Sequence, residues 1–302
     1  MNRPLRIGTR GSPLALAQAR MTADALKAAH GLSDADIEIV PITTTGDIIQ
    51  DRPLAEVGGK ALWTKELDRC LLDGRTDLSV HSMKDVETIR PGALTVAAML
   101  PRADVRDRLI GAESLDALAD GARVGTSSPR RAAQVLARRP DLNIVPIRGN
   151  VATRLRKLAG GEADATLLAA AGLDRLDEAA GVAIEDMLPA PSQGAVGVEV
   201  LTDNAEVRAL VVAIDHRPTS LCVRAERRLL ERLGGDCRSP IAALATIADG
   251  EILLRAEILT NDGRERQAGE ILFAVDDGAA PERLAAMLLE RASPALRGLF
   301  VG

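Results

Sequence analysis

The sequence predicts an α/β protein: two domains of similar build, then a smaller C-terminal α+β domain with a three-stranded antiparallel sheet. Three observations predict it. Over the first two-thirds of the 302 residues, short apolar runs alternate with helical patterns, the rhythm of strand–helix units on largely parallel sheets. The string GTRGSPLALAQ at 8–18 returns as GTSSPRRAAQ at 125–134, which marks the start of a second unit like the first. From about residue 217 the pattern changes to strands joined by Asp-Gly turns, an antiparallel signal.

Taken in order, LRIGT (5–9) reads as a strand, and Ser12-Pro13 opens an amphipathic helix over 13–29, with serine as its cap and proline in its first turn. IEIVPIT (37–43), DLSVHSM (77–83) and LTVAAML (94–100) read as strands, and 64–73 as a helix. ARVGT (122–126), NIVPI (143–147) and ATLLA (165–169) repeat the strand signal, with helices starting near Pro129 and Asn150. A helix over 221–233 ends at Gly234. IAALATIA, EILLRAEIL and RERQAGEILFAV then follow as strands, and 281–292 supplies a closing helix.

Composition narrows the function classes. Hydrophobic residues make up 46% of the chain but aromatics 1%, so the core is aliphatic and stacking platforms for bases are nearly absent. A net charge of −5 supplies no basic field, and no nucleic-acid partner is expected. No apolar run reaches the ~18 residues of a membrane span, and MNRPLRIGTRGSP carries no secretory leader, so a cytoplasmic protein without a membrane partner is expected. Cys70, Cys222 and Cys237 form no CxxC pair, and free thiols suit a reducing compartment. His30, His81 and His216 are scattered, and no metal is expected. The phosphate-loop, nucleophile-elbow and zincin motifs are absent, and SQGAVG (192–197) misses the dinucleotide fingerprint because Ser192 fills the first glycine's place.

Chemistry concentrates in three places. Both Ser-Pro turns aim helix N–H groups beyond strand ends, a setting for anions, and Arg10, Arg130, Arg131, Arg148 and Arg154 lie in or near them. Guanidinium matches carboxylate or phosphate in a two-pronged fashion, so the set suits a ligand with several acidic groups; arginines on a solvated face are the competing reading. In VHSMKDVET (80–88) a buried-type strand ends on Lys84 and Asp85, a carboxylate placed to steady a cation or move a proton, although an exposed ion pair of little energetic weight is the better reading of these residues by themselves. Cys237 follows Gly-Gly-Asp and precedes Arg238, an unusual seat for one of three cysteines.

Together these strings resemble the porphobilinogen deaminase (hydroxymethylbilane synthase) family. RIGTRGSPLALAQA, GGKALWTKELD, VHSMKDV, GTSSPRRAAQ, IRGNVATRLRKL, AAGLDRL, PAPSQGAVGVE and ERRLLERLGGDCRSPIAA match it in order from residue 6 to 243. The resemblance implies a transferase of porphyrin, heme and tetrapyrrole biosynthesis. Four porphobilinogen molecules condense head to tail with loss of ammonia onto a dipyrromethane cofactor, and hydrolysis releases hydroxymethylbilane. It also implies that Cys237 holds the dipyrromethane by a thioether, and that Asp85 and Lys84 serve catalysis while touching the cofactor along with Arg130, Arg131 and Ser128. Arg10, Ser12, Trp63, Thr126, Ser127, Arg148, Arg154 and Arg175 would bind substrate. Cys70 and Cys222 read as packed thiols.

The same resemblance implies two domains of the periplasmic-binding-protein type, residues 1–100 with 195–216 and residues 101–194, plus a cofactor-anchoring domain at 217–302, in a monomer. The stretch 44–61 would cover the site. Trp63 stands where the family usually has phenylalanine, Ala61 where glycine is common, and Ser192 where glycine is frequent. The alternative is a non-catalytic two-lobed binding protein for a polycarboxylate metabolite, which leaves Cys237 and the third domain without a purpose.

Overall fold

The apolar residues of β1 (Leu5–Arg10) are set by strand alternation: Leu5 and Ile7 point into a core, and the strand then breaks at Gly11-Ser12. Ser12 accepts from Ala15 N, and Pro13 begins α1 (Pro13–His30). The computed structural model describes residues 3–44, 63–236 and 238–300. Cys237 and the expected cover at 45–61 lie outside them. The chain falls into two compact units, Met1–Ala103 with Gly194–Ser220, and Asp104–Gln193 with Leu221–Gly302.

In the first unit, β1, β2 (Ile37–Ile42) and β3 (Leu78–Ser82) run parallel, and β10 (Val196–Leu201) lies antiparallel between β3 and β4 (Leu94–Met99), giving the order β2-β1-β3-β10-β4. In the second, β6 (Arg123–Gly125), β7 (Asn143–Val145) and β8 (Ala165–Ala169) are parallel, and β5 (Asp107–Ile110) lies antiparallel between β8 and β9 (Val182–Ile184), giving β7-β6-β8-β5-β9. The two orders are the same, with β5 in the place of β10. Each of these is the strand by which the chain enters its sheet after leaving the other unit.

The first sheet has two unlike faces. Ile7, Leu78, Val80, Val198 and Val200 pack on Ala19, Ala23 and Leu26 of α1 and on Val207 and Val211 of α6 (Ala205–Val212), each large side chain contributing roughly 1.5–3 kcal/mol by leaving water. Ser79, His81 and Glu199, on the alternate positions, form a buried polar layer beneath α2 (Lys65–Leu72). In the second unit, α3 (Pro129–Arg138), α4 (Val151–Ala159) and α5 (Ala170–Asp174) follow β6, β7 and β8.

The antiparallel sheet β11 (Ile241–Ala248), β12 (Glu251–Leu259) and β13 (Arg266–Ala274) has the expected order. Asp249 and Gly250 both take positive φ (53° and 82°), as a two-residue hairpin turn requires. Its core is shared with Leu229 and Leu233 at the end of α7 (Arg217–Arg232) and with Leu284 and Leu288 of α8 (Ala280–Arg291). Helix α7 starts four residues earlier than the sequence suggests. His216 Nδ1 accepts from Thr219 N (3.4 Å) and lies 2.8 Å from Thr219 Oγ1, so it serves as the cap, and Pro218 falls in the first turn where no N–H is needed. Strands β5, β9 and β10 were absent from the expectation: three or four residues are too few to display alternation in the first two, and β10 is buried on both faces and shows none.

Candidate active site

The expected residues sit where strands end. In the first unit, Arg10 and Ser12 follow β1, while Met83, Lys84 and Asp85 form a single 3-10 turn after β3. The turn is tied from behind: Met83 N donates to Ala195 O (3.1 Å), and Gln18 on α1 hydrogen-bonds Ser82 Oγ (2.9 Å). Arg10, Ser12, Trp63, His81 and Asp85 line one cavity of ≈ 60 Å³. The Arg10 guanidinium lies 3.9 Å above the Trp63 ring, a cation–π contact that fixes its plane. Asp85 and Lys84 are half-buried.

Beneath this cavity lies a charge cluster that sequence reasoning missed. Glu199 is fully buried and takes Arg90 Nε (2.8 Å) and Nη2 (2.9 Å) on its two oxygens. Arg90 also pairs with Asp68 (2.5 Å) and Glu87 (2.6 Å). His81 Nε2 stands 3.2 Å from Glu199 Oε2. Burial alone would raise the Glu199 carboxyl; the contacts with His81 and Arg90 outweigh it and hold it at about 2. Burial pushes Asp68 up, against the pull of Arg90. The available signal was a lone glutamate among the valines of VGVEVL: a carboxylate in a two-sided apolar strand must find a cation.

In the second unit the Ser-Pro turn repeats the first. Ser128 caps Arg131 N (3.4 Å), Thr126 Oγ1 accepts from Ser128 N (3.1 Å), and Ser127 Oγ donates to Ile147 O (2.9 Å). Arg130 and Arg131 do not reach into solvent. Both are buried on one carboxylate, Asp107, at 2.8 and 2.7 Å, and Gln193 Nε2 adds a third donor at 2.8 Å. Burial would raise Asp107, but the two guanidiniums hold it well below the usual carboxylate range. Asp107 offsets one of the two positive charges of this pair, and the Nε of each is buried with no hydrogen-bond partner among the described residues. Both facts fit an acidic group supplied from outside the chain, as the carboxylates of a dipyrromethane would be.

The remaining arginines lie at neighbouring strand ends. Arg148, after β7, has a buried Nη1 without a protein partner. Arg154, in the first turn of α4, donates from Nε to Gly149 O (2.9 Å). Arg175 follows α5, and burial lowers its guanidinium more than Asp174 raises it. Cys70 and Cys222 are buried, and neither forms a disulfide among the described residues. Around Cys237 only the flanks are described. Gly234 ends α7 with φ 64°. A Cβ on Gly235 would overlap Ile241 Cδ1 and stand 2.7 Å from Leu230 Cδ1. Asp236 N donates to Ser239 Oγ (3.1 Å), and Arg238 N to Asp236 Oδ1 (2.8 Å).

In each unit guanidiniums lie near the ends of parallel strands, and in the first unit a carboxylate lines a cavity above a buried ion cluster. Comparison with known families is specific. The porphobilinogen deaminase dipyromethane cofactor binding domain matches residues 5–209, and the porphobilinogen deaminase C-terminal domain matches residues 220–291. A porphobilinogen deaminase of Sphingopyxis alaskensis is 59% identical over 306 residues, covering 98% of this chain and 96% of its own. That of Paracoccus denitrificans is 52% identical over 283 residues, covering 92% and 90%. Among solved structures, a periplasmic substrate-binding protein from Coxiella burnetii aligns with 74% of this chain and 96% of its own at 16% identity and a TM-score of 0.44. The chain belongs to the porphobilinogen deaminase family. With membership come the enzyme class, a transferase of tetrapyrrole synthesis, and dipyrromethane as cofactor. The non-catalytic binding-protein alternative is set aside.

Proposed function

We propose that the chain condenses four porphobilinogen molecules, releasing ammonia at each step, onto a dipyrromethane attached to Cys237 by a thioether, and then frees hydroxymethylbilane by hydrolysis. The observation that carries the reading is the match to both family domains across residues 5–209 and 220–291. Dipyrromethane, when bound, supplies the free pyrrole carbon that the incoming ring joins.

The protein's own groups divide the work. Asp85 lines a cavity with Arg10 and Trp63; there its carboxylate balances the positive charge that develops on pyrrole nitrogen as the amine of porphobilinogen departs, and it holds the proton in transit. Lys84, its neighbour on the turn, adds a cation for the acidic arms. Arg10, braced on Trp63, Arg148, with its unpartnered Nη1, and Arg154 and Arg175 receive acetate and propionate carboxylates. Arg130 and Arg131, with Ser128, hold the cofactor's acidic arms through the charge that Asp107 leaves unmatched. The hydroxyls of Ser12 and Ser128 accept from backbone N–H and keep their protons for a ligand, as Thr126 does; the proton of Ser127 is given to Ile147 O.

The proposal includes a monomer acting in the cytoplasm, a setting that suits the reduced thiol of Cys70, and a division into a catalytic domain (1–100 with 195–216), an arginine-rich domain (101–194) and a cysteine-bearing domain (217–302). Intact-protein mass spectrometry tests its centre. The purified protein is expected to carry a two-pyrrole adduct that reacts with Ehrlich's aldehyde reagent and disappears in Cys237→Ser. A mass equal to that of the bare sequence, with no linear tetrapyrrole formed from porphobilinogen, overturns it.

A further inference from the structure

The turn that carries Asp85 is held by something more than backbone. Met83, its first residue, is 1% exposed, and its side chain lies over Gly197 of β10. A Cβ at Gly197 would overlap the Met83 sulfur, stand 2.9 Å from its Cγ and press on Val96 Cγ1 at 3.3 Å. Gly197 is paired across the sheet with His81, two residues before Met83 in sequence. On the same side of the turn, Met83 N is bonded to Ala195 O at 3.1 Å, and Val86 N closes the turn on Met83 O at 3.3 Å. The side chain and the backbone of Met83 are therefore both anchored to one short stretch, Ala195–Gly197.

We propose that Met83 and Gly197 are positioning residues for catalysis: a methionine seated in the hole left by a missing side chain, which fixes where the Asp85 carboxylate points. The inference rests on the role given to Asp85 above. A thioether chain is flexible enough to fill an irregular hole, but here it is enclosed, so an added methyl on the strand leaves it no room without a shift of the turn. Displacing a catalytic group by about 1 Å costs on the order of 10²-fold in rate. The arginines in the other unit take no part in this contact, whereas Lys84 rides on the same turn, so the effect falls on turnover more than on substrate affinity.

The test uses cofactor-loaded enzyme, with loading checked by the Ehrlich reaction. Gly197→Ala is expected to lower kcat on the order of 10²-fold while KM changes by much less, and the double variant Gly197→Ala/Met83→Val, which shortens the plug, is expected to regain most of the turnover. A wild-type kcat in folded Gly197→Ala, or a double variant no faster than the single one, overturns the proposal. If Gly197→Ala does not fold, Met83→Ala decides: it empties the seat without crowding, kcat is expected to fall by more than KM changes, and an unchanged kcat overturns the proposal. Wild-type enzyme run alongside separates the two readings, because an inactive wild type sinks the functional assignment, whereas an active one with unaffected variants sinks only the seat.

Discussion

Replacing Asp107 by asparagine keeps the shape of the side chain and removes its charge. Arg130 and Arg131 would then face each other in the interior without the carboxylate that both now bind at 2.7 to 2.8 Å, and Arg130 would keep only the field of Glu257, which already pairs with Arg266. Arg131 keeps Leu167 O, and Arg130 keeps Leu188 O and Gln134, so the hydrogen bonds are lost only in part, but the charge is not compensated. Removing one partner of a buried pair costs roughly 3–5 kcal/mol, a large share of the ~5–15 kcal/mol by which a domain is stable. With a urea slope of about 3 kcal/mol/M, the unfolding midpoint of that unit should drop by a little over 1 M. The chain has one Trp, Trp63, and no Tyr, and Trp63 belongs to the other unit. Far-UV circular dichroism should therefore show the shift while Trp63 fluorescence moves less. Adding Arg131→Met should recover part of the loss, because one of the two stranded charges goes with it. A midpoint for Asp107→Asn equivalent to less than about 1 kcal/mol of change would refute the account of a buried carboxylate balancing two guanidiniums.

Other outcomes follow from the same structure. Asp85→Asn should leave thermal unfolding unchanged and lower turnover by at least ~10²-fold, the scale for removing a preorganised charge; near-normal turnover rejects its role. Glu199, held at about 2 rather than near ~4.3, contributes stability that is complete above its unfolded value and is lost as the pH falls toward its folded one. The contribution is about 3 kcal/mol, so Glu199→Gln should be less stable at neutral pH and should flatten the fall in stability between those values, as followed by urea titrations across the acid range. Ser192 takes φ 67°, the left-handed region that costs an L-residue roughly 1 kcal/mol, while its N–H is held by Glu226 at 2.6 Å. Ser192→Gly should raise the melting temperature, and a lower one would show that the serine side chain contributes more than the strain it imposes.

What could be read in the sequence was local. Ser12 and Ser128 cap helices at the turns their Ser-Pro strings announce, the aliphatic composition became the valine and leucine cores, and Asp249-Gly250 made its hairpin. Asp85 was legible as a carboxylate at a strand end, and its cavity with Arg10 and Trp63 agrees with that placement. Asp107 was not legible. It lies in the charged string DVRDRLI, which reads as surface, and its burial depends on Arg130, Arg131 and Gln193, which are far along the chain. Arg90 and Glu199 escaped for the same reason: each is intelligible only when β10 has been laid beside β3. The plug at Gly197 likewise needed that pairing, since a glycine in an apolar strand gives no notice of the side chain that will lie over it.

Residues 104–193 and the C-terminal part of the same unit are stitched at three points. Gln134 reaches Glu257 at 2.5 Å, Glu226 accepts from Ser192 N and Ala245 N at 2.6 and 2.7 Å, and Ala243 N bonds Pro189 O at 3.1 Å. Excising residues 104–193 as a separate fragment would strand Gln134, Ser192 N and Pro189 O together, so that segment is no transplantable cassette. Chimeras between relatives keep their integrity only when the last eighty residues travel with it.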